Sequence, residues 1–367
     1  MRLRDLLAGA AMALTLTAVI PTVAVAEEGA EALGAIDTST IPATKHGKMS
    51  SEQRAIFYGA KGDPPAKELL GVNEDYAGRS YLAGDEWNLH LTHEHIKDVG
   101  GIYVGVGADQ GYLLASWAQA EYAYLIDYDA RVVLTHKIYR SFFLRSKTPK
   151  EFVNLWKKSN SDKALAIIRK DYADDKDLGE LEKVYKEWRR RIYSRHTRLN
   201  KKSKETGIKV YTNDQKLYDY VRGMIATDRI RPMSGNLLDD EGLIAIGEAS
   251  RKLGTPVRLF YVSNAQEYWA YPDQYRKNIA GLNFDEQSRV IHTLSTWSTN
   301  KDYRYVVQPG LNYQEWMTAD WVRKVYYMVP RRKLEGPEDI DFIYFDRELK
   351  EVEARRAKKK KKKKKKK

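Results

Sequence analysis

A glycine turn strung between two short apolar runs constrains this chain more than any other feature. Gly101-Ile-Tyr-Val-Gly105 has the length and apolarity of a buried strand, and it runs directly into Gly105-Val-Gly-Ala-Asp-Gln-Gly111. Tyr112 to Ala120 follows as a helix, with Leu113, Trp117 and Ala120 on one face, and Tyr122 to Asp127 is a second buried strand ending on an acid. Strand, tight turn, helix, strand and acid, in that order, open a doubly wound α/β sheet.

The rest of the chain extends the same pattern. Further strands are expected at Ile230 to Ser234, Val257 to Val262, Arg289 to Thr293 and Tyr303 to Val307, with a late strand at Asp341 to Phe345 and a charged helix from Arg347 to Arg356. A helix over Asp240 to Leu253 stops at Gly254, which suits the left-handed residue after a helix end. Ser263-x-x-Gln266 reads as a capping box that starts a helix directly after the Val257 strand. Residues 148 to about 206 are too long for a simple crossover. They open with Thr148-Pro149-Lys-Glu151, a capped helix start, and continue with Leu178, Leu181, Val184, Tyr185, Trp188 and Ile192 at helical spacing. This stretch is read as a helical insertion able to cover the mouth of the sheet. The expected fold is therefore α/β, a three-layer Rossmann-like domain over residues 76–335. Residues 27–75 precede it as a linker and short helical lead-in (Ser51 to Tyr58, then the breaker Gly59 to Pro65), and 336–357 add the late strand and helix.

Both chain ends carry strong signals. Arg2 and Arg4, the apolar run Leu6 to Ile20, and Ala24-Val25-Ala26 before Glu27 make residues 1–26 a secretory signal peptide. The run is short for a bilayer-spanning helix, which needs about 20 apolar residues. The expectation is an exported, periplasmic or secreted protein with no transmembrane segment after cleavage. No cysteine is present, so disulfides, thiolate nucleophiles and thiolate metal sites are excluded. Of the net charge of +13, ten units belong to Lys358–Lys367 and one to the signal, leaving the body near neutral at +2. The lysine run is expected to be disordered and could contact an anionic surface; it could equally be a passive tail.

Candidate chemistry gathers at the strand ends. Gly105, Gly107 and Asp109 belong to a turn that lets a nucleotide approach the backbone, and Asp127, about 20 residues on, is placed to grip ribose hydroxyls. The spacing Gly-x-Gly-x-x-x-Gly departs from the dinucleotide fingerprint and suits an S-adenosylmethionine loop better. A tight turn with no ligand explains the same residues. Ser263 and Asn264 lie past the fourth strand at the edge where α/β sheets bind ligands, with Glu267 and Tyr268 beside them. His90, His93 and His95 with Glu94 match no metal motif, so no metal is expected. Arg189 to Lys204 holds eight Lys or Arg at the end of an inserted helix; solvated basic residues explain it better than nucleic acid. No nucleophile elbow, Ser-x-x-Lys or P-loop occurs.

The run Gly100 to Gln110, with Leu125-Ile-Asp127, Arg231-Pro-Met-Ser-Gly-Asn-Leu237 and Phe260-Tyr-Val-Ser-Asn-Ala-Gln-Glu-Tyr268, resembles an uncharacterised bacterial family with a class I methyltransferase-like Rossmann fold. The resemblance covers roughly residues 75 to 310 and implies a fold more than a reaction. It places Asn236 where the family usually has an acid that meets the cofactor's adenine. Two functions are then open: a degenerate ligand- or partner-binding domain taking an unknown small molecule, or an active S-adenosylmethionine-dependent methyltransferase. Export favours the first, because S-adenosylmethionine is made and kept in the cytoplasm.

Overall fold

The computed structural model describes residues 36–66 (without 37 and 43), 81–329 and 341–364. The signal at 1–26 and the last three lysines lie outside the described residues.

The chain opens with helix α1 (Ser51–Gly59), whose Ser50 and Gln53 form a reciprocal capping box. After the short helix α2 (His93–Ile96), the regular alternation begins: β1 (Ile102–Val106), α3 (Gln110–Ala118), β2 (Tyr122–Asp127) and α4 (Ala130–Arg145). Helices α5 (Pro149–Leu155), α6 (Ser161–Asp171) and α7 (Leu178–Thr206) make up the insertion, and α8 (Gln215–Ala226) leads back to β3 (Ile230–Ser234). The second half runs α9 (Gly242–Lys252), β4 (Val257–Ser263), α10 (Asp273–Gly281), β5 (Arg289–Ser295), α11 (Trp297–Asn300), β6 (Tyr303–Pro309), α12 (Gly310–Met317), β7 (Phe342–Tyr344) and α13 (Leu349–Lys364).

One seven-stranded sheet organises these elements in the order β3-β2-β1-β4-β5-β6-β7. The first five strands in that order are parallel, and β6 runs antiparallel to β5. The reversal follows from chain length: β5 and β6 are joined by little more than the four residues of α11, too few for a crossover. Strand alternation then sorts the side chains. Tyr103, Leu125, Leu259, Tyr261, Ile291 and Tyr305 face a core shared with α3 to α8. Ile102, Val104, Tyr124, Phe260, Val290 and Val306 face a second core shared with α1, α9, α10, α12 and α13. The molecule is thus a three-layer α/β domain of Rossmann-like kind, as expected.

Three local expectations are corrected. Helix α3 runs over Gln110–Ala118, so Ala120 lies beyond it, and all nine of its residues are buried rather than one face; α8 and α2 cover the side turned away from the sheet. Ser263 caps nothing. It ends β4 with φ at +57°, the residues after it form only a 3-10 turn, and Gln266 is buried against His292 and Tyr271. The lysine run is helical as far as Lys364, because α13 is already nucleated by Leu349 packing on the second core and lysine propagates a helix well.

Candidate functional site

Parallel strands of a doubly wound sheet bind ligands beyond their carboxyl ends, at the point where strand order reverses. Here that point lies between β1 and β4, with β2 and β3 to one side and β5 and β6 to the other.

On the β1–β3 side, the chain's own groups pack closely against the turn residues. Tyr103 and Gly105 sit two apart on one face of β1, and the Tyr103 ring lies along the strand so that a Cβ at Gly105 would overlap its hydroxyl. Gly107 has φ at +102°, and the Gln110 amide lies where its Cβ would be. Both glycines are therefore required by packing and backbone conformation. His136 on α4 secures the turn from behind. The Gly107 carbonyl can only accept, so His136 Nε2 donates to it at 3.2 Å, which leaves Nδ1 to accept from the Tyr112 hydroxyl at 2.8 Å. Burial lowers this imidazole's pKa to about 4, so the ring stays neutral.

Asp127 ends β2 buried and turned inward, where its carboxylate accepts from the Asp129 N–H at 2.9 Å. Burial pushes its pKa up to about 7 in spite of backbone donors from Asp129, Tyr128 and Gly107. Asn236 spends its side chain locally, accepting from the Leu238 N–H at 3.1 Å. Above β2 and β3 runs the segment after α1, residues 60–66. The Asp63 N–H donates to Ser234 O and the Ala66 N–H to Tyr128 O. The buried Asp63 carboxylate accepts from the N–H groups of Asn236, Glu241 and Gly242 at 2.8, 3.2 and 2.8 Å. This strap is thereby fastened along the carboxyl ends of β2 and β3.

A buried charge node joins the insertion to the switch point. Arg195 of α7 donates through Nε to Asp109 Oδ2 at 3.0 Å and through Nη1 to the Glu86 carbonyl, and Asp109 also accepts from the Gly84 N–H at 2.6 Å. Burial alone would raise the Asp109 pKa, but Arg195, His196 and Gly84 outweigh it and hold the carboxyl below its ordinary value. Glu86 accepts from the Tyr261 hydroxyl, and its pKa is raised by burial and by Asp85. Glu86 Oε2, Gln110 Oε1 and Arg195 Nη2 come within about 3 Å of the position a Gly84 Cβ would occupy. These three atoms and the Tyr103 hydroxyl are buried with no hydrogen-bond partner among the described residues. Buried polar atoms are rarely left this way, so the node has unused hydrogen-bonding capacity.

On the β4–β6 side the edge is open. Asn264 donates to the Tyr268 hydroxyl at 3.2 Å, and the Tyr303 hydroxyl donates to Asp85 at 2.9 Å. Tyr268 and Trp297 are 46 and 47 % exposed, and Trp297 lies 6.5 Å from the Tyr303 ring. Glu267 also belongs to this edge, accepting from the Ser295 N–H at the end of β5 and from the Tyr326 hydroxyl. No group of three or more His, Asp or Glu placed to hold a metal occurs among the described residues. His93 packs edge-on to Trp117, and His95 stacks on Phe342 and Tyr344.

Residues 81–360 match a family described as a domain of unknown function, DUF7790. The chain belongs to that family. No curated protein matches it. The expected likeness to an uncharacterised family with a Rossmann-like fold therefore holds at that level. The DUF7790 match begins just before Gly84, Asp85 and Glu86, so it contains the whole charge node, while α1 and the strap precede it.

Of the residues singled out from sequence, Asp109, Asn264 and Tyr268 stand in the two polar groupings of the edge. Gly105, Gly107, Asp127 and Asn236 hold backbone and packing together. Asp63, Asp85, Glu86, Arg195 and Tyr303 were missed. Only a non-local signal could have found them, since they come from four separate parts of the chain.

Proposed function

We propose that this is an exported ligand-binding domain on a methyltransferase-like Rossmann scaffold, without methyl-transfer activity. The observation that carries this reading is the occupied β1–β3 edge: Tyr103 over Gly105, Gln110 over Gly107, Asp127 turned onto backbone N–H groups, and the Asp63 strap over β3. The residues present do not fit S-adenosylmethionine, whose ribose and adenine would need the space those groups fill. An N-terminal export signal agrees, because it would carry the protein away from the cytoplasmic pool of that cofactor. The surface left for a ligand is the β4–β6 edge, where Asn264, Tyr268, Trp297 and Asp85 with Tyr303 offer aromatic faces beside hydrogen-bonding groups. That mixture suits a small polar ligand with a flat or apolar face.

Isothermal titration of the protein with S-adenosylmethionine, and with its demethylated product, is expected to show no saturable heat. A dissociation constant at or below about 100 μM (about −5.5 kcal/mol) for either, lost in Asp127→Ala, would restore the methyltransferase reading.

A further inference from the structure

The open β4–β6 edge gathers acids without ion-pair partners. Asp85 accepts from the Tyr303 hydroxyl at 2.9 Å. Asp302, one residue before Tyr303, accepts from the Trp87 N–H at 3.0 Å and from the Asn88 amide at 2.8 Å. Neither carboxylate forms an ion pair among the described residues. Two arginines stand nearby, and both are engaged elsewhere. Arg195 is buried against Asp109, 4.0 Å from Glu86, and Arg198 holds its guanidinium 4.6 Å over the Trp87 ring. Burial raises the pKa of Asp85 in spite of the Tyr303 hydroxyl and the fields of both arginines. Burial and then Asp85 raise that of Glu86 in the same way.

Aromatic rings stand beside the same carboxylate. The Trp297 ring lies 6.5 Å from the Tyr303 ring at 60°. The Tyr268 hydroxyl, whose pKa is raised by burial, Glu267 and Asp85, lies within the field of Asp85 as well. Glu267 ties these parts together, since it accepts from the Ser295 N–H at 3.0 Å and Ser295 pairs with Tyr303 across β5 and β6. Tyr268 and Trp297 are each about half-exposed. The strand end that leads to them is irregular. The β4–β5 register shifts between Tyr261 and Ser263, and Ser263 has φ at +57°, in the left-handed region that a serine seldom occupies. Bulges and backbone outliers of this kind concentrate at functional sites.

A cation is attracted both by the face of an aromatic ring and by a carboxylate, and each attraction strengthens where water is partly excluded. Arg198 over Trp87 is one cation already held on an aromatic face at this edge. A metal ion would need several oxygen ligands at one point, whereas aromatic faces favour an organic cation. A sugar would stack on exposed rings equally well, but it brings no counter-charge to an unpaired carboxylate. We propose that the β4–β6 edge binds a small organic cation, an alkylated or quaternary ammonium group held beside Tyr268, Trp297 and Tyr303 with Asp85 as its counter-charge. The inference rests on that edge being the ligand surface, as in the function proposed above.

Isothermal titration of the full chain at fixed ionic strength compares choline with its uncharged isostere, in which a tert-butyl group replaces the trimethylammonium. Choline is expected to bind with a Kd of about 1 mM or below, and the isostere at least about tenfold more weakly. Asp85→Asn can still accept from Tyr303, and Trp297→Leu lies at an exposed position. Each should weaken choline by about fivefold or more, with the circular dichroism spectrum unchanged. If the Asp85 variant fails to fold, the Trp297 variant alone decides the location. Equal affinity for the two probes, both weakened by Trp297→Leu, overturns the cation and leaves the edge standing as a ligand surface. Absence of saturable choline binding, or choline affinity unchanged in the folded variants, overturns the site, and the titration with S-adenosylmethionine still decides the wider reading.

Discussion

Replacing Gly105 by alanine would put a methyl group where the Tyr103 side chain already lies. Both groups are on one strand, so neither can move without disturbing β1. A loss of about 1 to 3 kcal/mol is expected in urea unfolding, as for other overpacked cores. If the glycine served a ligand alone, the same substitution would leave stability unchanged. Asp127 makes a prediction with a definite sign. Its folded pKa of about 7 lies above the ordinary carboxyl value of 3.8, so between those pH values the native state holds a proton that the unfolded chain has lost. Stability from this group is complete below about pH 4 and is lost as pH rises through 7. Asn at 127 can still accept from the Asp129 N–H but never charges. Asp127→Asn should therefore match wild type below about pH 4 and exceed it by about 1 to 3 kcal/mol at pH 8, measured by chemical unfolding at each pH. A variant less stable than wild type at pH 8 would mean that the carboxylate is ionised and stabilising.

Among the elements, α7 matters most, because it delivers Arg195 to the switch point. Helical spacing of Leu181, Val184, Tyr185, Trp188 and Ile192 revealed the helix and its buried face. That same spacing gave no hint that one arginine of a basic stretch would turn inward, since Arg195 belongs to the run read as solvated. Arg195→Met keeps much of the volume but leaves Asp109 and Glu86 buried near each other without their cation. A cost of about 3 to 5 kcal/mol is expected in calorimetric unfolding. Adding Asp109→Asn should recover part of it, because one stranded charge is removed; a purely additive double variant would show that the pair is not coupled. Strands were legible almost to the residue, β2 and β3 with the expected limits, since apolar runs of five or six bounded by turn residues have few other readings. The site was less legible. Ser263-x-x-Gln266 fits a capping box in local pattern, but the buried partners His292 and Tyr271 compete for Gln266, and they are distant in sequence.

At the scale of the whole molecule, the sequence by itself determined the alternation of strands and helices, the place of the insertion and the class of the sheet. These depend on periodicity and on glycine, proline and cap residues, all of which act over a few neighbouring positions. Tertiary structure alone decided which side of the sheet's edge stays open. Asp63 and Asn236 are 173 residues apart, as are no two groups a local pattern could link, yet their hydrogen bond holds the strap over β3. Arg195 and Asp109 meet across 86 residues. A glycine turn is the same string of letters whether a cofactor or a tyrosine lies above it. What fills that space is set by packing between distant segments, and packing has no local signature.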